Sequence, residues 1–178
     1  TDIDSTYKSV TEQSGIQAKD GGFDINVKGN TALIGGVITS TDKAIEEGQN
    51  LLDTGTLTVQ DIENKAEYQA VSVDIGVSIS SGAGLMATPP VAMGAKDEVT
   101  STTKSAVSVG AVTIRDEGKQ KELTGAGSEE MVASLNRDTS DTQNALETIF
   151  DEQEIQAGFE ITQTLIKETG TFLQNRAK

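Results

Sequence analysis

The stretch that most constrains the fold is residues 9–40, SVTEQSGIQAKDGGFDINVKGNTALIGGVITS, in which short β-branched pulses alternate with glycine, asparagine and aspartate at nearly even intervals. The pulses are Gly15-Ile16-Gln17-Ala18, Phe23-Asp24-Ile25-Asn26-Val27, Ala32-Leu33-Ile34 and Val37-Ile38-Thr39. Phe23, Ile25 and Val27 alternate with Asp24 and Asn26, which sets three apolar side chains on one face of a strand and two polar ones on the other. Gly21-Gly22 and Gly29-Asn30 tolerate positive φ, so the chain can turn sharply between pulses. Short strands with such corners fit either an antiparallel meander or a parallel β-solenoid, and the spacing alone does not choose.

The same period runs on beyond this stretch. Leu57 and Val59 alternate with Thr56, Thr58 and Gln60, and the alternation continues through Ile62, Asn64 and Ala66, where an inward asparagine needs hydrogen-bond partners. Residues 68–80 alternate most cleanly, with Val71, Val73, Ile75, Val77 and Ile79 on one face and Ser72, Asp74, Gly76, Ser78 and Ser80 on the other. A strand of that length without proline needs covered edges. Residues 81–96 break the pattern with Gly82, Gly84, Gly94, Pro89 and Pro90, which exclude a central strand and leave a plain linker or a mobile loop that docks on a partner, with Leu85, Met86, Val91 and Met93 as its apolar members. Val107, Val109, Val112 and Ile114 flank Gly110 and read as a hairpin or as one more coil. Residues 1–11 are polar and acidic and read as the tail of a preceding coil.

Helical signals are local until late in the chain. Ser40-Thr41-Asp42 reads as a cap for one turn ended by Gly48, and residues 117–127 read as an exposed loop. Ser128-Glu129-Glu130 opens a helix with Met131, Val132 and Leu135 on its apolar face, and 138–141 is a cap-rich break. Ala145, Leu146, Ile149 and Phe150 then form a stripe, continued by Ile155, Phe159, Thr162 and Ile166 and by Leu165, Phe172 and Leu173. Gly158 predicts a kink or break, and Gly170 a frayed end.

Several runs carry a family resemblance. Residues 9–40, TGTLTVQDIENKAEY at 54–68, STTKSAVSVGAVTIRD at 101–116, LNRDTSDTQNAL at 135–146 and IFDEQEIQ at 149–156 together resemble the late portion of filamentous-haemagglutinin-like two-partner-secretion exoproteins. Among these are the CdiA-type effectors of contact-dependent growth inhibition. The resemblance tips the fold expectation to mainly β: a parallel β-helix (solenoid) segment followed by a C-terminal α-helical appendage. The expected division is 1–80 for β-helix coils, 81–100 for the Gly/Pro loop, 101–127 for further strands and loop, and 128–178 for the helical segment. The chain does not open on methionine and stops before the pretoxin and toxin segments of that family, so it is expected to be a piece of a longer protein. At Ala157-Gly158 it departs from the more polar helical stretch of the family.

Composition narrows the chemistry. Histidine and cysteine are both absent, which removes the commonest acid–base, nucleophilic and transition-metal groups. The net charge is −14, from 28 acidic and 14 basic residues, which repels a phosphate backbone and predicts no nucleic-acid partner. Aromatic residues are 3% of the chain, too few for a large-ring globular core but compatible with stacked aliphatic layers. No apolar run reaches the ~20 residues of a membrane-spanning helix.

Gly82-Ala83-Gly84 lacks the rest of a nucleotide-binding loop, and Asp20-Gly21-Gly22-Phe23-Asp24 occurs once, as a corner and not as a calcium-binding array. Asp151-Glu152-Gln153-Glu154 reads as a solvated helix face. The carboxylate pairs that enzymes built on β-helices use are not singled out. The sequence therefore predicts no catalytic, cofactor or metal site and no enzyme.

The resemblance implies a non-enzymatic module of a secreted, cell-surface exoprotein, exported through a two-partner-secretion outer-membrane transporter. Such a module would help a downstream toxin or pretoxin segment of the same chain enter neighbouring bacteria by engaging the target-cell outer membrane. The competing reading is a passive stalk or adhesin scaffold for cell–cell adhesion. Leu85, Met86, Met93, Phe159, Ile166 and Phe172 are the candidate membrane or partner contacts.

Overall fold

The structure, a computed structural model, describes residues 1–74, 77–80, 84–87 and 90–176; for 77–80, 84–87 and Gln174 it describes the backbone alone. In chain order the elements are β1 (Asp2–Lys8), β2 (Gly15–Gln17), β3 (Asp24–Ile34), β4 (Val37–Thr39), α1 (Asp42–Glu46), β5 (Leu51–Gln60), β6 (Ile62–Asp74) and β7 (Val77–Ser80). There follow β8 (Gly84–Ala87), β9 (Val91–Thr103), β10 (Ala106–Val107), β11 (Ala111–Ile114), α2 (Glu117–Thr124), α3 (Ser128–Ser134) and α4 (Glu152–Arg176). They divide into two compact units, one of Ser9–Asn64 and Thr100–Leu146, the other of Thr1–Lys8, Lys65–Val99 and Glu147–Lys178.

The first unit holds two three-stranded parallel sheets, ordered β10-β4-β2 and β11-β5-β3. Its corners follow the sequence. Gly22 has a φ of 65° and its amide closes a turn on the Lys19 carbonyl at 2.9 Å, while a Cβ there would meet the Gln49 carbonyl oxygen at 2.4 Å. α1 is capped by the Thr41 hydroxyl and ended near Gly48, as the sequence predicts. Between the sheets lie Phe23, Leu33, Ile38, Leu52, Leu57, Val107 and Ile114, with Leu135 packed against them after α3. β10 and β11 pair with β4 and β5, not with each other, so Gly110 is no hairpin turn; a Cβ there would meet Asn50 Cβ at 2.4 Å.

In the second unit β1 runs antiparallel to β6, with Asp2 opposite Val71 and Lys8 opposite Lys65, and β9 flanks β6 on its other side. β7 and β8 form an antiparallel pair. Tyr68 and Phe150 pack as tilted rings 6.0 Å apart.

This is a small α/β arrangement of short sheets, and it corrects the expectation of a mainly β, parallel β-helix with a helical appendage. The parallel ladders stop at three strands each, and no closed solenoid forms among the described residues. Residues 1–11 are not the tail of a preceding coil but contain β1, the antiparallel partner of β6. Of the run 68–80, expected to be the cleanest strand, residues 68–74 belong to β6, antiparallel to β1, and 77–80 form β7, antiparallel to β8; Val73 is 57% exposed. Alternation fixes which residues share a face but is the same in parallel and antiparallel ladders, so it could not supply strand direction.

Three local expectations also change. Residues 117–124 form α2 where a loop was expected, and 145–150 are irregular where a helical stripe was expected. α4 runs unbroken through both Gly158 and Gly170. The Gly/Pro stretch contains β8 and the start of β9; Gly82 and Pro89, and Ile75 of the alternating run, lie outside the described residues.

Candidate functional site

α4 carries a long run of uncovered apolar side chains. Asp151 starts it by accepting the Gln153 and Glu154 amides at 2.8 and 3.2 Å, so the acidic run is a cap and first turn, where carboxylates suit the helix dipole. Ile155 is half-buried and Phe159, one turn on, is 8% exposed. Beyond Phe159 the cover ends: Ile161, Leu165, Ile166, Phe172 and Leu173 are 44% to 69% exposed. At 3.6 residues per turn, Ile161, Leu165 and Phe172 line up along one edge, and Ile166 and Leu173 prolong the row of Ile155 and Phe159. The two rows make one wide apolar arc. No described helix is long and apolar enough to cross a membrane.

Of the residues expected to contact a membrane or partner, Ile166 and Phe172 lie on this arc and Phe159 is buried at its docked end. Met93 is half-buried in β9, while the side chains of Leu85 and Met86 lie outside the described residues. Ile161 was missed. Its signal is the spacing to Leu165 and Phe172, four and eleven residues on, which the row through Phe159 obscured.

The first unit holds polar side chains where apolar ones would be expected. Asn64 is fully buried; its Nδ2 donates to Ser101 Oγ, Thr103 Oγ1 and the Asn144 carbonyl at 3.1, 2.9 and 3.0 Å, and its Oδ1 accepts the Val10 amide at 2.8 Å. Asp20 accepts from Thr41 Oγ1 at 2.9 Å and pairs with Lys43 at 3.6 Å, so the glycine corner is held by neighbours. Arg115, just after β11, pairs with Asp53 of β5 and donates to the Val27 carbonyl of β3 at 2.7 Å, tying the three strands of one sheet together. In the second unit Lys65 bridges Glu67 and Glu98 at 2.7 and 3.1 Å; the hydrogen bond to Glu67, then that to Glu98, raises its pKa. No cluster of three or more carboxylates is placed to hold a metal ion among the described residues.

Comparison with known proteins identifies the family. The chain is 40% identical over 164 residues to a tRNA nuclease CdiA of Yersinia mollaretii, covering 92% of the chain and 5% of that relative. It is 40% identical over 173 residues to a 16S rRNA endonuclease CdiA of Enterobacter cloacae, covering 94% of the chain and 5% of that relative. The chain is a region of a CdiA-type contact-dependent inhibition protein. A tRNA nuclease CdiA of Escherichia coli matches 98% of the chain at 35% identity, again over 5% of its own length. No family model and no solved structure matches the chain.

CdiA-type proteins are secreted toxins of contact-dependent inhibition, so the expected export holds at that level. The expectation of a protein that is no enzyme is corrected, because relatives in this family are named as nucleases. Lacking histidine and cysteine was a weak ground for that expectation: lysine, tyrosine and carboxylates also move protons, and the relatives extend far beyond the matched segment.

Proposed function

We propose that this region serves the delivery of a contact-dependent nuclease toxin into a neighbouring bacterium, by docking on the target cell's outer membrane. The observation that carries the reading is the uncovered apolar arc of α4, with Ile161, Leu165, Ile166, Phe172 and Leu173 all exposed. A helix of this kind lies in a membrane interface and does not span it. Two CdiA relatives named for different RNA targets match the chain equally well, which supports a role that toxins of different specificity have in common. The partners of this reading are the target outer membrane, the toxin segment downstream in the same polypeptide, and the two-partner-secretion transporter that exports it.

The test uses the full-length toxin with Leu165→Asp and Phe172→Asp together, two exposed positions whose change leaves the core intact. Producers should display the protein and bind targets as before, while growth inhibition is lost. Inhibition at the parental level overturns the docking role. Loss of adhesion with normal inhibition per bound cell supports the stalk or adhesin reading.

A second reading comes from the names of the relatives, that RNA cleavage itself lies in this segment. Incubating the purified chain with tRNA and ribosomal RNA decides it: cleavage by the chain establishes that reading and displaces delivery.

A further inference from the structure

Residues 136–146 contain no helix or strand, yet they lie along the outer side of the Lys104–Ser108 stretch and are fixed there at almost every step. The attachment is polar. The Asn136 carbonyl accepts the Val107 amide at 3.0 Å, and the Thr142 carbonyl accepts the Lys104 amide at 2.8 Å. Thr139 Oγ1 meets Thr39 Oγ1 at 3.1 Å, Thr142 Oγ1 donates to Gln13 Oε1 at 2.7 Å, and the Leu146 amide donates to Ser9 Oγ at 2.8 Å. Within the segment only Thr142 is buried, whereas Leu135 just before it belongs to the apolar core. These contacts coincide with LNRDTSDTQNAL, a run whose serine, threonine, asparagine and glutamine side chains the delivery role leaves unexplained.

Most bonds of this type are exchanged for bonds to water on release, the Asn144 carbonyl's bond to the buried Asn64 being the costly one. Apolar burial has no such replacement, so segment and core differ in the cost of opening. We infer that residues 136–146 are a detachable strap, which leaves the edge of β10 while the core beneath stays folded. Released, its eleven residues can span at most roughly 36–40 Å, which bounds the slack of the following chain. α4 begins six residues after Leu146, at Glu152, so the slack lies just ahead of it. The use of the slack rests on the docking role proposed for α4; detachment itself does not.

The strand beneath carries its own reporters. Lys104 and Val107 direct their amides to the strap, while the amides of Ala106 and Ser108 bond to the Gly36 and Ile38 carbonyls at 3.1 and 2.8 Å. Amide hydrogen exchange of the 178-residue chain, read by NMR and corrected for intrinsic rates, separates strap opening from core opening. Lys104 and Val107 should exchange at least about tenfold faster than Ala106 and Ser108. The chain has no cysteine, so Thr39→Cys with Thr139→Cys gives a single disulfide across the strap. That disulfide should bring Lys104 and Val107 to the rate of their neighbours, and reduction should restore the difference. Equal rates for all four amides in the unlinked chain, or a rate difference that survives the disulfide, overturns the inference.

Discussion

Gln120 pairs with Leu57 as a strand would: its Nε2 donates to the Leu57 carbonyl and its Oε1 accepts the Leu57 amide, each at 2.8 Å. β11 accompanies β5 only as far as Thr54, opposite Ile114, so the side chain from α2 completes the ladder at Leu57. Both residues are fully buried. Gln120→Met keeps the volume but leaves a donor and an acceptor unpaired, which should cost about 2–5 kcal/mol. Urea denaturation at constant m-value measures it; a loss below about 0.5 kcal/mol would mean that water reaches Leu57.

Asn64 is the second polar anchor, joining Val10, Ser101, Thr103 and Asn144 from three separated stretches of chain. Its two amide hydrogens serve three acceptors, so at least one bond is shared. Asn64→Ala should destabilise the first unit by about 2–3 kcal/mol, since the Val10 amide loses its partner and the Asn144 carbonyl is left with the Ser101 hydroxyl alone. The same denaturation experiment reads it, and an effect within about 0.5 kcal/mol would show that the network is redundant.

Much of the local structure was legible in residue type. Thr41 and Gly48 bracket α1, and period-two alternation marks β3, β5 and β6. Strand direction was not legible, because the side-chain pattern of β6 suits a parallel neighbour as well as the antiparallel β1. α2 escaped notice because its buried residue is the polar Gln120, so it has no apolar stripe to betray it. Leu146 sits on a helical spacing, yet its amide bonds to Ser9 Oγ, and the Asn144 carbonyl is likewise taken by Asn64; the backbone is committed elsewhere. At the candidate site, the apolar spacing of α4 was readable, but which of its residues are covered was not: Phe159 and Phe172 read alike in sequence.

Glu117 gives a pH dependence. The Ser128 hydroxyl beside it, the Ser128 amide donating at 2.7 Å and the Lys121 ammonium at 3.0 Å pull its carboxyl from 4.5 to about 2. The hydroxyl is buried and makes no well-aligned hydrogen bond, so the amide and ammonium are the contacts that stand on geometry. A lowered folded-state pKa means stability that is fully present above about 4.5 and is lost as pH falls toward about 2. The stability difference between the parent and Glu117→Gln should therefore be constant near neutrality and shrink through that window. A difference that does not change with pH would detach Glu117 from the α2–α3 junction.

Gly158 and Gly170 sit inside α4 with open space where a Cβ would be. Alanine at either position should raise helix stability by about 1 kcal/mol, read from helical circular dichroism on heating. A decrease at Gly158 would reveal a close neighbour at that turn.

Phe159 and Phe172 test the division of α4 into a covered start and an uncovered end. Phe159 is 8% exposed, and its replacement by alanine removes a buried ring, at about 3–5 kcal/mol. Phe172 is 61% exposed, and the same change there should stay within about 0.5 kcal/mol. Adsorption to lipid vesicles should reverse the order, with Phe172→Ala weakening it and Phe159→Ala acting only through folding. If Phe172→Ala destabilises the isolated chain as much as Phe159→Ala does, the end of α4 is covered in solution and is not the docking surface.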